Sequence, residues 1–499
     1  MCSPMALDLK LSVKPDVSSL LTRVSHFLTE QRIKSYLVGG FIRDMLLGRN
    51  TADIDIAVVA DALEVAQKVA SALGGKYVSL DEVNRIGRVV LSGRNKKWEI
   101  DFSTIESNIA QDLARRDFTI DAMAIELEKA VSSPELIDPF NGFDDLRQGI
   151  IRAVAETSFV ADPVRLLRAV RLAAELRFRI ESKTEALIRS YSHLIAIVAG
   201  ERVRDELLRL LAMPGSGQFL AYLDGLGLLT ALIPELVQTK GVEQPKEHFW
   251  DVFHHSIQTV AAVEFLLRQG DWTYGGEEVL VAVPWSTELE QHFDQAISHG
   301  STRKSLLKLA ALLHDIAKPQ TKTVEESGRT RFLGHAQEGM TIATGILERL
   351  RFSTKEIKLV EVMVKYHLRP TQMSHEGLPT RRAIYRYFRD TGEASIDILF
   401  LSLADHLASR GQHLDLAQWQ EHAQLVAYVL EQHFAEASLT MPPKLIDGYD
   451  LIERFGLSPG PKIGAILEVV REAQAAGEVT SREETLAYIE QILASSKDK

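Results

Sequence analysis

Two aspartates one residue apart, Asp53 and Asp55, have the types and spacing for phosphate chemistry. They lie in the run "IDIAVV", which is typical of a strand. Because side chains alternate across a strand, both carboxylates share one face, and Ile54 and Ile56 share the other. Two carboxylates this close repel unless a cation lies between them, and Mg²⁺ prefers oxygen ligands. The pattern indicates a metal site, although an isolated Asp-x-Asp is more often a pair of solvated acids.

A glycine pair precedes these aspartates in "YLVGGFIRDMLLG". Gly39 and Gly40 end a predicted strand, and a predicted helix follows at once. Glycine lets the backbone approach a phosphate closely, and a helix N-terminus offers unpaired N–H groups. Arg43 lies in the first turn of this helix and can add a charge-assisted contact. The segment therefore predicts a site for a nucleotide's phosphates.

This order of motifs resembles the nucleotidyltransferase superfamily whose catalytic palm is similar to that of DNA polymerase β. The resemblance implies that Asp53 and Asp55 hold Mg²⁺ and that a third carboxylate lies on a neighbouring strand. Asp101 in "KWEIDFSTI" is the candidate, and Glu99 on the same face is the alternative. The implied reaction is in-line attack of a hydroxyl on the α-phosphate of a nucleoside triphosphate, with two metal ions about 4 Å apart.

Two later motifs resemble the family of class II tRNA nucleotidyltransferases and bacterial poly(A) polymerases. They are "RRDFTIDA" and "ADPVRLLRAVRLAAELRFRI". In the second, Asp162, Arg165, Arg168 and Arg171 recur every three residues, so neighbours share one face of a helix. The resemblance implies that Arg116 of the first motif contacts the nucleotide. It further implies that Asp162 and Arg165 recognise the base of CTP or ATP without a template, and that Arg168 and Arg171 help to hold the nucleotide.

The chain departs from the family pattern at two positions. Asp121 stands where the family has asparagine, and Ala161 stands where the family has an acid. Neither change removes the Asp-x-x-Arg core, so both are expected to be tolerated. A row of arginines by itself is more often a solvated helix face, and the order of three motifs is what favours nucleotide binding.

The second half of the chain carries the segments "FHHSIQTV", "ALLHDIAK" and "LADHLASRG". They resemble the HD phosphohydrolase domain, which implies a site for a divalent metal with mixed nitrogen and oxygen ligands. His255 is preferred over its neighbour His254. The sequence leaves open whether the site hydrolyses phosphomonoesters or cyclic phosphates or is a relic. The implied ligands are His255, His314, Asp315 and Asp405, with His335 and His367 at positions where two-metal members add ligands.

The elements that must position these residues form an α+β head followed by helices. We expect a polymerase-β-like head with a small mixed sheet, then an all-α neck and body and an all-α HD domain. The polar stretch 270–301 is expected to be an insertion or long loop. The predicted boundaries are residues 1–30 for an N-terminal helix, 31–151 for the catalytic head, 152–245 for the neck and body, 246–430 for the HD domain and 431–499 for a helical tail.

Composition limits the class of protein. A chain of 499 residues is too long for one core and predicts several domains. No apolar run reaches the roughly 18 residues of a membrane span. With the single cysteine Cys2 and no signal peptide evident, the cytoplasm is the expected location. The net charge of −11 argues mildly against a general nucleic-acid binder.

Clustered arginines could nevertheless bind RNA. The segment "TRRAIYRYFRD" interleaves arginines with aromatic residues, which suits phosphate contacts, and a solvated helix is equally expected. The candidates are Arg381, Arg382, Arg386 and Arg389, together with Arg202, Arg204 and Arg209 in the neck.

The resulting hypothesis is a nucleotidyltransferase that adds C or A residues from CTP and ATP to the 3′ end of tRNA. A poly(A) polymerase is the first alternative, but "NRIGRVVL" stands where those enzymes usually have a basic Gly-Arg/Lys-Arg-Phe element. An enzyme that adds only CC or only A is the second alternative. The third is an HD phosphohydrolase with an RNA-binding head, which requires vestigial Asp53 and Asp55.

Overall fold

The computed structural model describes residues 15–49, 51, 53–92, 97–130, 132–298, 300–373, 377–435 and 444–495. The chain forms two compact units. The first extends to Val198 and includes Leu226–Ala231, and the second comprises Ala199–Gly225 and the residues from Leu232 onward. The division falls inside the segment 152–245 that the sequence predicts as neck and body.

The first unit is built on a seven-stranded mixed sheet in the order β3-β4-β5-β2-β1-β6-β7. Strands β2 and β5 run parallel, and the other neighbours run antiparallel. A further parallel pair, β8 and β9, lies outside this sheet. The strands are β1 (Ser35–Val38), β2 (Asp53–Val58), β3 (Lys76–Asp81), β4 (Ile86–Ser92), β5 (Lys97–Thr104), β6 (Ala124–Glu126), β7 (Leu136–Ile137), β8 (Ile150–Ile151) and β9 (Arg179–Ile180).

Helices surround this sheet and continue after it, which confirms the α+β class. Helix α3 begins at an aspartate cap, where Asp61 accepts from the Leu63 amide at 3.0 Å, and ends at Gly74 with φ 72°. The helices up to residue 198 are α1 (Pro15–Glu30), α2 (Gly40–Leu46), α3 (Ala62–Leu73), α4 (Ile109–Ala114), α5 (Gly142–Gln148), α6 (Ser158–Ala161), α7 (Arg165–Leu176) and α8 (Ser182–Tyr191).

The core of the sheet follows from side-chain alternation. Ile54 and Ile56 of β2 and Ile100 and Phe102 of β5 are fully or almost fully buried. The alternate residues of both strands therefore share the opposite face, where the acidic side chains lie. Gly87 of β4 allows a close approach, because a Cβ there would lie 2.9 Å from Ala66 Cβ on α3.

Helices dominate the remainder of the chain. The two short hairpins in it are β10 (Ala296–Ser298) with β11 (Ser301–Thr302), and β12 (Lys322–Val324) with β13 (Thr330–Phe332). The helices are α9 (Gly200–Ala212), α10 (Ser216–Gly225), α11 (Leu228–Leu232), α12 (Val252–Leu266), α13 (Glu277–Leu280), α14 (Thr287–Asp294), α15 (Arg303–Leu313), α16 (Lys318–Thr321), α17 (His335–Arg349), α18 (Thr354–Tyr366), α19 (Arg369–Gln372), α20 (Arg381–Thr391), α21 (Ser395–Arg410), α22 (Leu416–Ala435), α23 (Gly448–Phe455), α24 (Pro461–Ala476) and α25 (Arg482–Ser495).

The prediction of a long loop over residues 270–301 is wrong, and the alternative of an insertion stays a prediction. Helices α13 and α14 form there, and Ser286 caps α14 by accepting from the Leu289 amide. Leu289 and Phe293 on α14 are 2% and 1% exposed. Burial of these few apolar side chains outweighs the polar composition, which sequence periodicity could not detect in such short helices.

The C-terminal helices α23, α24 and α25 share a small apolar core of their own. Its buried residues are Ile446, Leu451, Ile466, Val470, Leu486 and Ile489. Within the described ranges, no helix combines the length and the apolarity that crossing a membrane requires.

Candidate active site and metal centre

Four carboxylates line one face of β2 and β5. In the parallel register Asp53 lies opposite Glu99, and Asp55 lies opposite Asp101. Both acids of β5 that the sequence analysis weighed are therefore on the face of the Asp-x-Asp pair. Asp101 is the partner of Asp55, whose side chain is the more buried of the two aspartates in β2. We call these four residues the carboxylate face.

Arg88 of β4 holds the two acids of β5. It lies opposite Asp101 in the antiparallel register and donates from Nε and Nη2 to the two carboxylate oxygens at 2.7 and 2.8 Å. Its Nη1 also contacts Glu99. Sequence analysis missed this residue, although an arginine within the apolar strand "IGRVVLS" was the signal that could have revealed it.

Negative charge accumulates around Asp55. Burial raises the pKa of its carboxyl, Arg116 opposes this effect, and the charges of Asp101, Asp121 and Asp53 add to it, so that the pKa is about 6. A set of oxygen ligands with this excess of negative charge fits Mg²⁺, which favours carboxylates and phosphate oxygens. The residues present therefore match the metal that the sequence predicts.

The turn at Gly39 and Gly40 lies close to the carboxylate face. The φ of 71° and ψ of −145° at Gly39 fall in a region that is nearly restricted to glycine. A Cβ at this position would lie 2.7 Å from Arg116 Nη1 and 3.1 Å from Asp55 Oδ2. The absence of a side chain is thus required for Arg116 and the carboxylate face to meet at the loop.

Arg43 contacts carboxylates of the chain itself, and its predicted contact with a nucleotide stays a prediction. Its side chain is only 8% exposed, and its guanidinium donates to Asp121 Oδ1 at 2.8 Å and to Asp44 Oδ1 at 3.0 Å. Arg43 therefore joins α2 to Asp121 and stabilises the position of the Gly39–Gly40 turn, from which α2 begins. This pairing gives the buried carboxylate of Asp121 a charged partner.

The two arginine-containing motifs are in direct contact. Arg165 donates to the Arg115 carbonyl at 2.9 Å and to Ser158 Oγ at 3.2 Å, and Ser158 Oγ in turn donates to the Arg116 carbonyl at 3.2 Å. Arg168 Nε lies 3.0 Å from Asp117 Oδ2. Helix α7 is thereby fixed against the segment that carries Arg116, as a shared nucleotide site requires.

The other two residues of the row lie differently. Asp162 is 3.8 Å from the Arg165 Nε, at the end of α6. Arg171 is buried and donates to Glu175 at 2.6 Å. Nucleotide binding by Asp162, Arg165, Arg168 and Arg171 stays a prediction.

The six predicted ligands of the second unit converge in one cluster, which we call the HD centre: His255, His314, Asp315, His335, His367 and Asp405. Asp315 lies between two pairs of histidines. Its Oδ2 is 3.4 Å from His255 Nε2 and 3.2 Å from His314 Nε2, and its Oδ1 is 3.3 Å from His335 Nε2. Asp405 Oδ1 is 3.0 Å from His255 Nε2. The two carboxylate oxygens of Asp315 are therefore each close to a different pair of histidines.

Three of the four histidines of the HD centre are oriented as metal ligands. The Nδ1 atoms of His314, His335 and His367 lie 2.7–2.8 Å from backbone carbonyls three residues earlier. A donated Nδ1–H leaves the Nε2 lone pair for a metal, which is the usual support for ligating histidines. The Nε2 atoms of His335 and His367 lie only 3.3 Å apart, so facing lone pairs would repel without a cation.

The electrostatics of the cluster also favour a cation. Burial opposes a charge on His314, but the carboxylates of Asp315 and Asp405 outweigh it and raise the pKa of this imidazole to about 10. Burial lowers the pKa of His367 to about 3. The donor set therefore fits a divalent metal of the transition series or Mg²⁺.

Lys318 is a residue of this cluster that sequence analysis missed. Its Nζ lies 2.5 Å from Asp315 Oδ2 and donates to Gln244 Oε1 at 2.6 Å. The spacing of three residues after Asp315, one turn along, was the available signal.

The arginines of α20 lie on a packed helix pair and keep about a third to a half of their side-chain surface exposed. Their binding to RNA stays a prediction. Three of them pair with a glutamate on or just after α24: Arg382 with Glu478 at 2.8 Å, Arg386 with Glu472 at 2.5 Å and Arg389 with Glu468 at 2.9 Å.

Fold and site together define a nucleotidyltransferase of the polymerase-β-like type that carries an HD domain. Three domain families match the chain in order: the Poly A polymerase head domain at residues 35–152, the "Probable RNA and SrmB- binding site of polymerase A" at residues 177–239, and the HD domain at residues 252–410.

Curated relatives match nearly the whole chain. An A-adding tRNA nucleotidyltransferase of Deinococcus radiodurans is 32% identical over 91% of this chain and 94% of its own length. A CC-adding tRNA nucleotidyltransferase of Thermus thermophilus is 32% identical over 91% of this chain and 93% of its own. The Thermotoga maritima CCA-adding enzyme complexed with tRNA is 26% identical, with a TM-score of 0.59 over 97% of this chain and 96% of that one. The chain belongs to the family of class II tRNA nucleotidyltransferases and bacterial poly(A) polymerases.

Proposed function

We propose that this protein transfers C or A residues from CTP or ATP to the 3′ end of tRNA. The observation that carries the proposal is the carboxylate face, on which Asp53, Asp55 and Asp101 lie beside the Gly39 turn and Arg116. Relatives named for adding A, CC or CCA to tRNA support the choice of substrate. The expected location is the cytoplasm. The proposed tRNA substrate is found there, and a chain with one cysteine suits its reducing conditions.

The reaction is attack of the RNA 3′-hydroxyl on the α-phosphate, which forms a new phosphodiester and releases pyrophosphate. Asp53, Asp55 and Asp101 would hold Mg²⁺, which when bound lowers the pKa of the attacking hydroxyl and neutralises charge on the phosphates. Arg88 keeps the Asp101 carboxylate in place through two hydrogen bonds. Arg116 adds positive charge beside Asp55, where the triphosphate is expected.

Base selection is assigned to Asp162 and Arg165. Arg165 is held by the Arg115 carbonyl and by Ser158, so its orientation is fixed before a nucleotide binds. A preorganised Asp and Arg can present acceptors and donors to the Watson–Crick edge of cytosine or adenine. The protein itself then selects the incoming base, without a nucleic-acid template.

Nucleotide incorporation on three tRNA substrates tests this proposal. The substrates end before CCA, after the first C and after CC, and each is incubated with CTP, ATP or both, beside an Asp53→Ala/Asp55→Ala control. Addition that stops at CCA identifies a full CCA enzyme, while addition that stops at CC or requires CC identifies a partial one. Long A tails on unrelated RNA would indicate a poly(A) polymerase. Incorporation by the control variant would contradict the assignment of the carboxylate face.

We further infer that the HD centre binds two divalent metal ions. The position of Asp315 between two histidine pairs favours this stoichiometry. Calorimetric titration of the Asp53→Ala/Asp55→Ala protein with Mn²⁺ is expected to show two sites. His314→Ala should abolish at least one of them, and a wild-type-like titration of this variant would refute the assignment.

A further inference from the structure

The backbone of Arg88 is fixed by the strand on which it lies. In β4 this residue pairs with Val78 of β3 on one side and with Asp101 of β5 on the other. The preceding residue, Gly87, packs so closely on α3 that a Cβ there would lie 2.9 Å from Ala66 Cβ. The Arg88 side chain therefore extends from a position that both the sheet and α3 determine.

The Arg88 guanidinium spans both acids of β5. Its Nε and Nη2 donate to the two oxygens of Asp101 at 2.7 and 2.8 Å, and its Nη1 donates to Glu99 Oε2. Such a paired contact fixes the plane of a carboxylate as well as its position. Asp101 needs this support, because 26% of its side chain is exposed and packing does not fully confine it.

The two acids of β5 have different surroundings. Glu99 is engaged by two side-chain cations, since its Oε1 accepts from Lys97 Nζ at 2.7 Å and its Oε2 accepts from Arg88. Asp101 lies opposite Asp55 in the parallel register. Burial raises the pKa of Asp55, and among the neighbouring acids Asp101 adds most to the rise. Asp101 is thus the acid beside Asp55, and Glu99 is the acid that holds the arginine.

Arg88 is also a permanent positive charge beside the proposed metal site. Hydrogen bonding to Asp101 raises the pKa of the guanidinium, burial opposes this effect, and the charges of Asp101, Glu99 and Asp53 add to the rise. Because arginine stays protonated at every working pH, this charge repels a cation that enters the carboxylate face. A neutral side chain would favour metal binding, so what Arg88 contributes is the position of a carboxylate.

We propose that Arg88 is the positioning residue that makes Asp101 the third metal-binding carboxylate of the head, and that Glu99 acts only through Arg88. Glu99 anchors the guanidinium and does not bind the metal. The inference rests on the proposed function, and it decides between the two acids of β5 that the sequence leaves open. It predicts that Arg88 supports the geometry of the reaction while it opposes metal affinity.

Two substitutions separate geometry from charge. Arg88→Lys keeps the charge but cannot form the two parallel hydrogen bonds, and Arg88→Gln removes the charge as well. Mn²⁺ affinity is measured by calorimetric titration of the full chain in a His314→Ala background, which weakens the HD centre, with Asp53→Ala/Asp55→Ala in that background as the blank. Arg88→Lys should bind Mn²⁺ at the head within about threefold of its parent, and Arg88→Gln should bind it about tenfold more tightly.

Nucleotide addition at saturating Mg²⁺ gives the second readout. Both substitutions should lower kcat for CTP and ATP by at least about tenfold and leave KM within about threefold, because a misplaced carboxylate weakens interactions that form in the transition state.

Arg152→Ala is the matched control. Arg152 holds an aspartate and a glutamate in the same way, with Nε and Nη2 donating to Asp145 at 2.9 and 3.1 Å and Nη1 donating to Glu181 at 2.5 Å. None of these residues belongs to the carboxylate face. This variant should lose a comparable free energy of unfolding and retain both kcat and Mn²⁺ affinity within about threefold.

A double-mutant cycle tests the role of Glu99. Glu99→Gln should lower kcat in the wild-type protein and should have no further effect in Arg88→Gln, because the group through which it acts is then absent. Multiplication of the two losses would show that Glu99 acts on the metal directly and would overturn the assignment.

Wild-type kcat in Arg88→Lys, or weaker Mn²⁺ binding by Arg88→Gln, would also overturn the proposal, since an arginine with a merely structural role would lower metal affinity together with stability. The metal titrations do not depend on tRNA. If the wild-type protein added no nucleotide to tRNA, the proposed function would fail, and tighter Mn²⁺ binding by Arg88→Gln would still support the inferred opposition of Arg88 to the metal. Melting curves by circular dichroism confirm that each variant is folded.

Discussion

At the level of single residues, Asp55 determines how the head responds to pH. Its side chain is half-buried, and desolvation together with the charges of Asp101, Asp121 and Asp53 raises its pKa to about 6. A carboxylate must lose its proton to bind a metal, so metal affinity falls where Asp55 is protonated.

Mn²⁺ affinity of the head should therefore rise about tenfold per pH unit below pH 6 and level off above pH 7. Titration calorimetry from pH 5 to 8 in a His314→Ala background, which weakens the HD centre, measures this dependence. Asp55→Asn should bind weakly with a flatter pH profile. A wild-type affinity that is constant from pH 5 to 7 would show that Asp55 is not a ligand.

Gly39 is the second residue whose local geometry sets a clear expectation. Alanine there would place a Cβ 2.7 Å from Arg116 Nη1, displacing a group beside Asp55. Displacements of about 1 Å near reacting groups cost about a hundredfold in rate, so Gly39→Ala should lower kcat/KM for CTP and ATP by about that factor.

Gly48→Ala is the control for this change. Gly48 also has a positive φ, 67°, but no atom lies within 4 Å of the Cβ that alanine would add. Both variants lose stability through backbone strain of roughly 1–2 kcal/mol, and only Gly39→Ala should lose activity. Equal activities of the two folded variants would contradict the role of the Gly39 turn.

At the level of elements, the pairing of α20 with α24 explains why an arginine-rich segment lies in an acidic protein. Three of the arginines that the sequence could assign to RNA, Arg382, Arg386 and Arg389, pair with glutamates some eighty or more residues later. Amphipathic spacing predicts each helix separately, but nothing local reveals that their charged faces meet.

The pair Arg382–Glu478 gives a test, since each side chain is about a third to a half exposed. Arg382→Glu and Glu478→Arg should each lower the free energy of unfolding, and the double exchange should recover most of the loss. Their coupling energy in urea unfolding should be roughly 0.2–1 kcal/mol and should shrink in 0.5 M salt. Strict additivity of the two changes would show that the pair makes no contribution in solution.

At the level of the whole molecule, two units carry separate chemistry: carboxylates alone in the first, and mixed imidazole and carboxylate ligands in the second. We expect Asp53→Ala/Asp55→Ala to abolish tRNA nucleotide addition and to leave Mn²⁺ binding by the HD centre intact. His314→Ala should do the reverse, retaining addition within about threefold. Loss of both properties in either variant would mean that the two sites are coupled.

The local sequence determined much of the fold and of the candidate sites of this protein. Alternation in β2 placed Asp53 and Asp55 on one face, because that periodicity is a property of the extended backbone itself. The motif order predicted the mixed head, the helices after it and the cluster of His255, His314 and Asp315, and the structure confirms the fold and brings those ligands together.

Only the tertiary structure decided which groups meet. The parallel register sets Asp55 opposite Asp101, Arg88 secures that carboxylate from a third strand, and Arg43 pairs with Asp121 at 2.8 Å across 78 residues. Strand registers and distant ion pairs depend on the entropy of loop closure and on which faces of the strands and helices become buried. Both contributions to the free energy of folding depend on residues throughout the chain. Periodicity is local, so it identifies the reactive residues but not the partners that hold them.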